Sequence, residues 1–228
     1  MDTSERLFLS ILKELDRREI LKDLVIIGGW ALVIYRHTFG NPPALSSIRT
    51  ADVDFLVSTK QKFSKNVDVG KVFSYIGFEK VYSMHKGYIK YVHPDLEAEF
   101  LVPMIGRQSD EPFRIPALNT NAQRLRFLDI LITYSKILDY SGFGVRVPKP
   151  AAYVINKLIV STRRQNRLKM EKDIKAAREL GEYILNDPEE SKLLKTIWNG
   201  YSLKMKTNIL DIAKIHSSLL FKHLSSEP

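Results

Sequence analysis

Four consecutive apolar residues, Leu24-Val25-Ile26-Ile27, run directly into Gly28-Gly29 and from there into Trp30–Arg36 (WALVIYR). The β-branched run has the length and composition of a buried strand. The glycine pair is a turn signal, and the stretch after it can start a helix. Strand, glycine turn and helix make sense only if further strands lie alongside. The sequence offers them. Ile48 to Ser58 (IRTADVDFLVS) alternates as a strand does, with Val53, Phe55 and Val57 on one face and Asp52 and Asp54 on the other. Gly87 to Val92 and Leu96 to Val102 read as two more strands, joined by the turn His93-Pro94-Asp95.

The remaining segments complete an α+β plan. Residues 4–19 predict an amphipathic helix with Leu7, Ile11, Leu12 and Leu15 on its apolar face and Asp2, Thr3 and Ser4 as caps. Residues 67–76 suit a helix, 104–116 a loop, and 122–147 a helix followed by a strand ending at Val147-Pro148. From Pro150 onward the pattern is helical, with breaks at Asn186-Asp187-Pro188 and Asn199-Gly200. The expectation is a mixed β-sheet flanked by helices over residues 1–147 and a helical C-terminal domain over 148–228.

Composition excludes several alternatives. With 44% hydrophobic residues in a chain of 228, a sizeable core can form. No apolar run approaches the roughly 18 residues of a membrane span, and MDTSERLFLS lacks the order of a signal peptide. Absence of cysteine rules out disulfide scaffolds, thiolate metal sites and cysteine nucleophiles, with cytoplasmic residence as the default expectation. The formal net charge of +9 is uneven: residues 1–110 carry 15 Lys+Arg against 14 Asp+Glu, and residues 111–228 carry 20 against 12. Ten basic residues and only Glu171 and Asp173 lie between Arg146 and Arg178, a block that favours a polyanionic partner.

Three features carry chemistry. Gly28-Gly29 lets the backbone approach a ligand at a helix N-terminus, where N–H groups and the dipole favour phosphate. Asp52 and Asp54 share one strand face, roughly 7 Å apart, and can grip one or two Mg²⁺ ions. A solvated strand face is the plain alternative, but Asp is depleted in strands and two Asp at this spacing repel unless a cation lies between them. Glu97-Ala98-Glu99, leading into Phe100-Leu101-Val102, again puts two carboxylates on one face. One of them can complete a metal site and serve as general base for a hydroxyl; Glu99, at the turn to apolar sequence, is the better candidate, with Glu97 a possible surface charge.

GGWALVIY, RTADVDFLV and EAEFLVP together resemble the nucleotidyltransferase superfamily of DNA polymerase beta. The match covers about the first hundred residues, and the 22 residues between Gly29 and Asp52 exceed the spacing in compact members. The resemblance implies a two-Mg²⁺ enzyme that transfers a nucleotide from an NTP such as ATP to a hydroxyl, with Asp52, Asp54 and Glu99 as metal-binding and catalytic residues and Gly28 and Gly29 at the phosphates. Arg49 and Thr50, just before the Asp pair, are placed to reach a phosphate or the acceptor, with a surface residue as the alternative for Arg49. The GGWA and Arg-Thr-x-Asp-x-Asp wording is similar to lincosamide and aminoglycoside nucleotidyltransferases. The C-terminal wording, Lys157-Leu158, Arg163-Arg164 and Lys172-Asp173-Ile174, resembles AbiEii-type toxin nucleotidyltransferases. Carried over from these, Lys157 would neutralise the triphosphate and Asp173 would orient a basic or metal-bound group; a lysine snorkelling from a core helix is the structural alternative for Lys157.

The expectation is therefore a metal-dependent nucleotidyltransferase. The basic C-terminal helices favour RNA or tRNA as acceptor in a toxin–antitoxin or defence setting, with an antitoxin protein as a partner and no membrane. An antibiotic adenylyltransferase is one alternative. A non-catalytic nucleic-acid-binding or regulatory protein on the same fold is the other, and three clustered acids speak against it. The five His residues show no metal-ligand spacing, and Trp30 is expected to pack the first helix after the glycines.

Overall fold

In a computed structural model, which describes residues 3–47, 50–84, 86–107, 109 and 111–226, helix α1 (Thr3–Arg17) buries Phe8, Ile11, Leu12 and Leu15. The apolar stripe thus runs through Phe8 in place of the expected Leu7, which is partly exposed. Phe8 stacks on Trp30 at 3.9 Å between ring centroids, so Trp30 packs helix α2 (Gly28–Thr38) against α1. Strand β1 (Val25–Ile27) is buried throughout and passes into α2 without an intervening turn. The glycine pair, read as a turn from sequence, is the first turn of the helix itself.

A nine-stranded mixed sheet organises this part of the chain, with path β3-β4-β5-β2-β1-β9-β8. Its strands are β2 (Asp52–Leu56), β3 (Glu79–Tyr82), β4 (Ile89–His93), β5 (Leu96–Pro103), β6 (Phe113–Ile115), β7 (Thr120–Leu125), β8 (Ser135–Tyr140) and β9 (Phe143–Pro148), together with β1. Strand β7 pairs with β5 and with β6. Helix α3 (Val69–Tyr75) falls within the expected 67–76, capped by the Asp68 side chain accepting from the Lys71 amide.

Alternation fixes the register of the central strands. Val53, Phe55, Ala98 and Phe100 are buried on one face, where Phe55 and Phe100 lie 5.5 Å apart and Phe73 stacks on Tyr91 at 4.4 Å. Each such aromatic side chain contributes about 1.5–3 kcal/mol by burial. Slipping β2 or β5 by one residue would drive their carboxylates into this cluster.

Two expectations change: residues 104–116, expected as a loop, contain β6 (Phe113–Ile115), and residues 122–147 divide differently. Residues 122–147 hold the end of β7, a short helix α4 (Asp129–Thr133) and the β8–β9 hairpin, where a helix and one strand were expected. The hairpin closes through Ser141 and Gly142, both at positive φ, the geometry of a tight two-residue turn. Strand β3 went unread because all four of its residues are exposed, which leaves no apolar alternation to detect.

The C-terminal part is helical: α5 (Pro150–Ser161), α6 (Arg167–Ile184), α7 (Pro188–Asn199), α8 (Leu203–His216) and α9 (Ser218–Ser225). Both expected breaks bound α7, with Asp187 at its N-cap and Gly200 at its C-cap. Asp187 accepts from the Glu189 and Glu190 amides with Pro188 at the first helical position, and Asn166, not read as a break, caps α6 through Lys169. Two compact units divide the chain, one of Met1–Thr38 and Ile48–Pro148, the other of Phe39–Ser47 and Lys149–Pro228. This differs from a single cut at 147/148 in that residues 39–47 group with the helices. Ser46 is held by the Glu179 carboxylate through its amide at 3.0 Å and its hydroxyl at 2.8 Å, and Phe39 stacks on Tyr183. Among the described residues no helix is long and apolar enough to cross a membrane.

Candidate active site

The parallel pairing of β2 with β5 sets Asp52 opposite Glu97 and Asp54 opposite Glu99. Four carboxylates therefore share the sheet face that the aromatic cluster does not occupy. On the other side of β2, antiparallel β1 sets Ile27 opposite Asp54, so α2 begins one residue beyond that pair. Here glycine is a steric requirement. Gly28 has φ +68°, and a Cβ built on it would lie 2.1 Å from Asp54 Oδ2. A Cβ on Gly29 would lie 2.6 Å from Thr50 Oγ1 and 2.7 Å from Thr50 Cβ. The two glycines bring the helix start against the acid-bearing strand and its entry.

Thr50 is nearly buried, and its hydroxyl donates to the Asp52 carbonyl at 3.3 Å. It packs the strand entry against Gly29. Arg49, the other residue named ahead of the Asp pair, lies outside the described residues.

Lys90 on β4 was not singled out from sequence, yet it stands on the same face. The β4–β5 hairpin places it opposite Glu99, with its Nζ 3.0 Å from Glu97 Oε2 and 3.9 Å from Glu99 Oε2. A signal was present: counting outward from the closing pair His93 and Leu96, position 90 meets position 99. Burial, followed by the neighbouring Asp54 charge, pushes the Glu99 carboxyl up to about 7, with Lys90 acting against the rise and Asp52 and Glu97 adding to it. Burial works against the Lys90 ammonium, but its hydrogen bond to Glu97 and the charges of Glu99, Glu97 and Asp52 outweigh it and raise the group.

The acids are oxygen donors of the kind a hard divalent cation takes. Asp52, Asp54 and Glu99 are the residues able to hold one, and a cation would offset the Asp54 charge that adds to burial in raising Glu99. As the side chains lie, among the described residues no three His, Asp or Glu groups are gathered into a metal-holding cluster; Lys90 already pairs with Glu97.

In the helical unit, Lys157 and Asp173 are brought together. Lys157 Nζ donates to Asp173 Oδ1 at 2.6 Å, and Arg164 Nε donates to Oδ2 at 2.9 Å. Asp173 is 4% exposed, so its carboxylate orients two cations from a buried position. Arg164, seen in sequence only as part of a basic pair, is the third member.

A nucleotidyltransferase family model matches residues 6–201. Among curated proteins no sequence matches. Of the solved structures, an antigenic nucleotidyltransferase-like protein from Paracoccidioides brasiliensis is similar over 100% of this chain and 95% of that one, at 14% identity and TM-score 0.52. The antibiotic-resistance factor ANT(2'')-Ia, in solution, aligns over 87% of this chain and 93% of that one at 15% identity and TM-score 0.47. The same factor crystallised with adenylyl-2''-tobramycin aligns over 95% and 100% at 12% identity and TM-score 0.49. The first likeness shows a shared fold, and the family model spans most of the chain: this protein belongs to the nucleotidyltransferase family.

Proposed function

We propose that the protein transfers a nucleotide from an NTP to a hydroxyl acceptor in a divalent-metal-dependent reaction. The observation that carries this is the register of β2 and β5, which sets Asp52–Glu97 and Asp54–Glu99 side by side at the glycine start of α2. Asp52, Asp54 and Glu99 hold Mg²⁺, two ions in the full reading, and Gly28 and Gly29 let the phosphates approach the helix start. Bound Mg²⁺ supplies charge neutralisation on the phosphate oxygens. Glu99, opposite Asp54 on the acid face, takes the proton from the acceptor oxygen. That oxygen forms a bond to the α-phosphorus, the bond to the β-phosphate oxygen breaks, and pyrophosphate leaves with the electron pair. Nucleotide-binding roles for Lys157 and Asp173 rest on the C-terminal sequence resemblance; in the helical unit Asp173 holds Lys157 and Arg164.

RNA is the favoured acceptor. Arg163, Arg167, Lys169 and Lys172 are all exposed around the start of α6, more positive charge than one triphosphate uses. The toxin–antitoxin setting and an antitoxin partner rest on the C-terminal sequence resemblance alone.

The test is incubation of each α-labelled NTP with Mg²⁺ and either total RNA or small hydroxyl compounds, antibiotics included. Label should enter RNA with wild-type protein and not with Asp54→Asn. Transfer only to a small compound would replace the acceptor and leave the chemistry standing. No transfer to anything, or equal transfer by both proteins, would end the proposal.

A further inference from the structure

The proposed reaction leaves Lys90 without a task. It stands on β4 between buried Ile89 and Tyr91, so strand alternation turns its side chain to the acid face. Pairing with Glu97 at 3.0 Å would suffice to explain a surface ion pair. It does not explain why the ammonium also stands 3.9 Å from Glu99, the carboxylate that Asp54 crowds from β2. An ammonium at that point does, with a single charge, what a divalent ion does with two: it offsets repulsion among the carboxylates. Both cannot be fully effective on Glu99 at once.

The geometry points to Lys90 as a built-in counter-cation, held beside Glu99 by Glu97, that steadies the acid face when no divalent ion is bound and competes with that ion for the face. This rests on the metal-dependent reading above. Lys90 is a positioning residue: it sets the charge against which metal binds, and Glu97 acts through it. With Lys90 the four carboxylates and the ammonium sum to −3; without it, to −4.

Mn²⁺ serves as the probe, titrated calorimetrically into the full chain as wild type, Lys90→Met, Lys90→Gln, Lys90→Arg and Asp54→Asn. Lys90→Met and Lys90→Gln should bind Mn²⁺ about three- to tenfold tighter, the modest size expected for groups roughly two-fifths exposed. Lys90→Arg should stay near wild type. The two neutral variants should also melt below wild type without metal and approach it at saturating Mn²⁺. A residue with a merely structural role would leave the affinity unchanged or weaken it, so the sign decides. Unchanged or weaker binding in both neutral variants, with wild type saturable and Asp54→Asn not, overturns the role of Lys90 alone. Absence of saturable Mn²⁺ uptake by wild type, or uptake equal to that of Asp54→Asn, overturns the metal-dependent reading and this inference together.

Discussion

The carboxylates of the sheet face and the carboxylate of Asp173 show opposite balances of charge. On the sheet, Asp52, Asp54, Glu97 and Glu99 have Lys90 among them as their cation, and its closest partner is Glu97. In the helical unit, the single Asp173 carboxylate has both Lys157 and Arg164. In the first arrangement carboxylates crowd one another, and burial followed by the Asp54 charge leaves Glu99 raised. The second is closed, with each carboxylate oxygen on a cation. A face where carboxylates crowd is where an added cation gains most, and a closed pair is where side chains are held still.

Replacing Asp54 by Asn breaks the first arrangement most severely. Nucleotide transfer should fall at least about 10³-fold, since metal-assisted charge stabilisation is worth several kcal/mol. The metal-free protein should melt at the same temperature or higher, and Mg²⁺ should no longer raise it. Equal Mg²⁺ shifts in wild type and variant would remove the metal assignment.

Asp173→Ala should instead damage the fold. It leaves two cations facing a lost partner, a loss of about 2–4 kcal/mol in urea unfolding, below the usual range for fully buried pairs because the Arg164 side chain is 38% exposed. A change under about 0.5 kcal/mol, the size of an ordinary surface substitution, would show that the pair is not closed.

Glu99→Gln sharpens the comparison through pH. A carboxyl raised to about 7 binds its proton more tightly folded than unfolded, so it withdraws stability as pH climbs from about 4.5 to 7. Without divalent ions, the Gln variant should match wild type near pH 4 and exceed it by about 1–3 kcal/mol at pH 8. Parallel curves across that window would place the crowding elsewhere.

Gly28→Ala is the smallest change. The left-handed φ costs about 1–2 kcal/mol, and the methyl group must displace the Asp54 carboxylate. Activity should drop about 10²-fold, the size of a 1 Å misplacement, with Mg²⁺ stabilisation weakened but present. Wild-type rates would separate the glycine from the acid site.

Much of this was legible in the chain. Asp52-Val53-Asp54 and Glu97-Ala98-Glu99 announced strands because their intervening residues are apolar, and buried Val53 and Ala98 hold the acids outward. Residues lacking a one-sided environment were not legible. Strand β3 is exposed on both faces, and of the β8–β9 hairpin only a strand ending at Val147-Pro148 was read. Lys90 was missed because its significance lies in a cross-strand neighbour that the strand's own sequence does not display. The partner of Arg164 was missed because Arg164 lies between α5 and α6 and Asp173 is nine residues away on α6.

The strap of residues 39–47 makes the gene hard to splice. The chain changes unit three times, after Thr38, after Ser47 and after Pro148, so no single junction separates the units. A hybrid joined only at 148/149 would set one parent's Ser46 and Phe39 against the other parent's residues at 179 and 183. Exchanging the helical unit between relatives therefore takes two segments moved together. In sequence the short one ends five residues before Asp52, so the inheritance of the helices is tied by linkage in the gene to that of the acid strand.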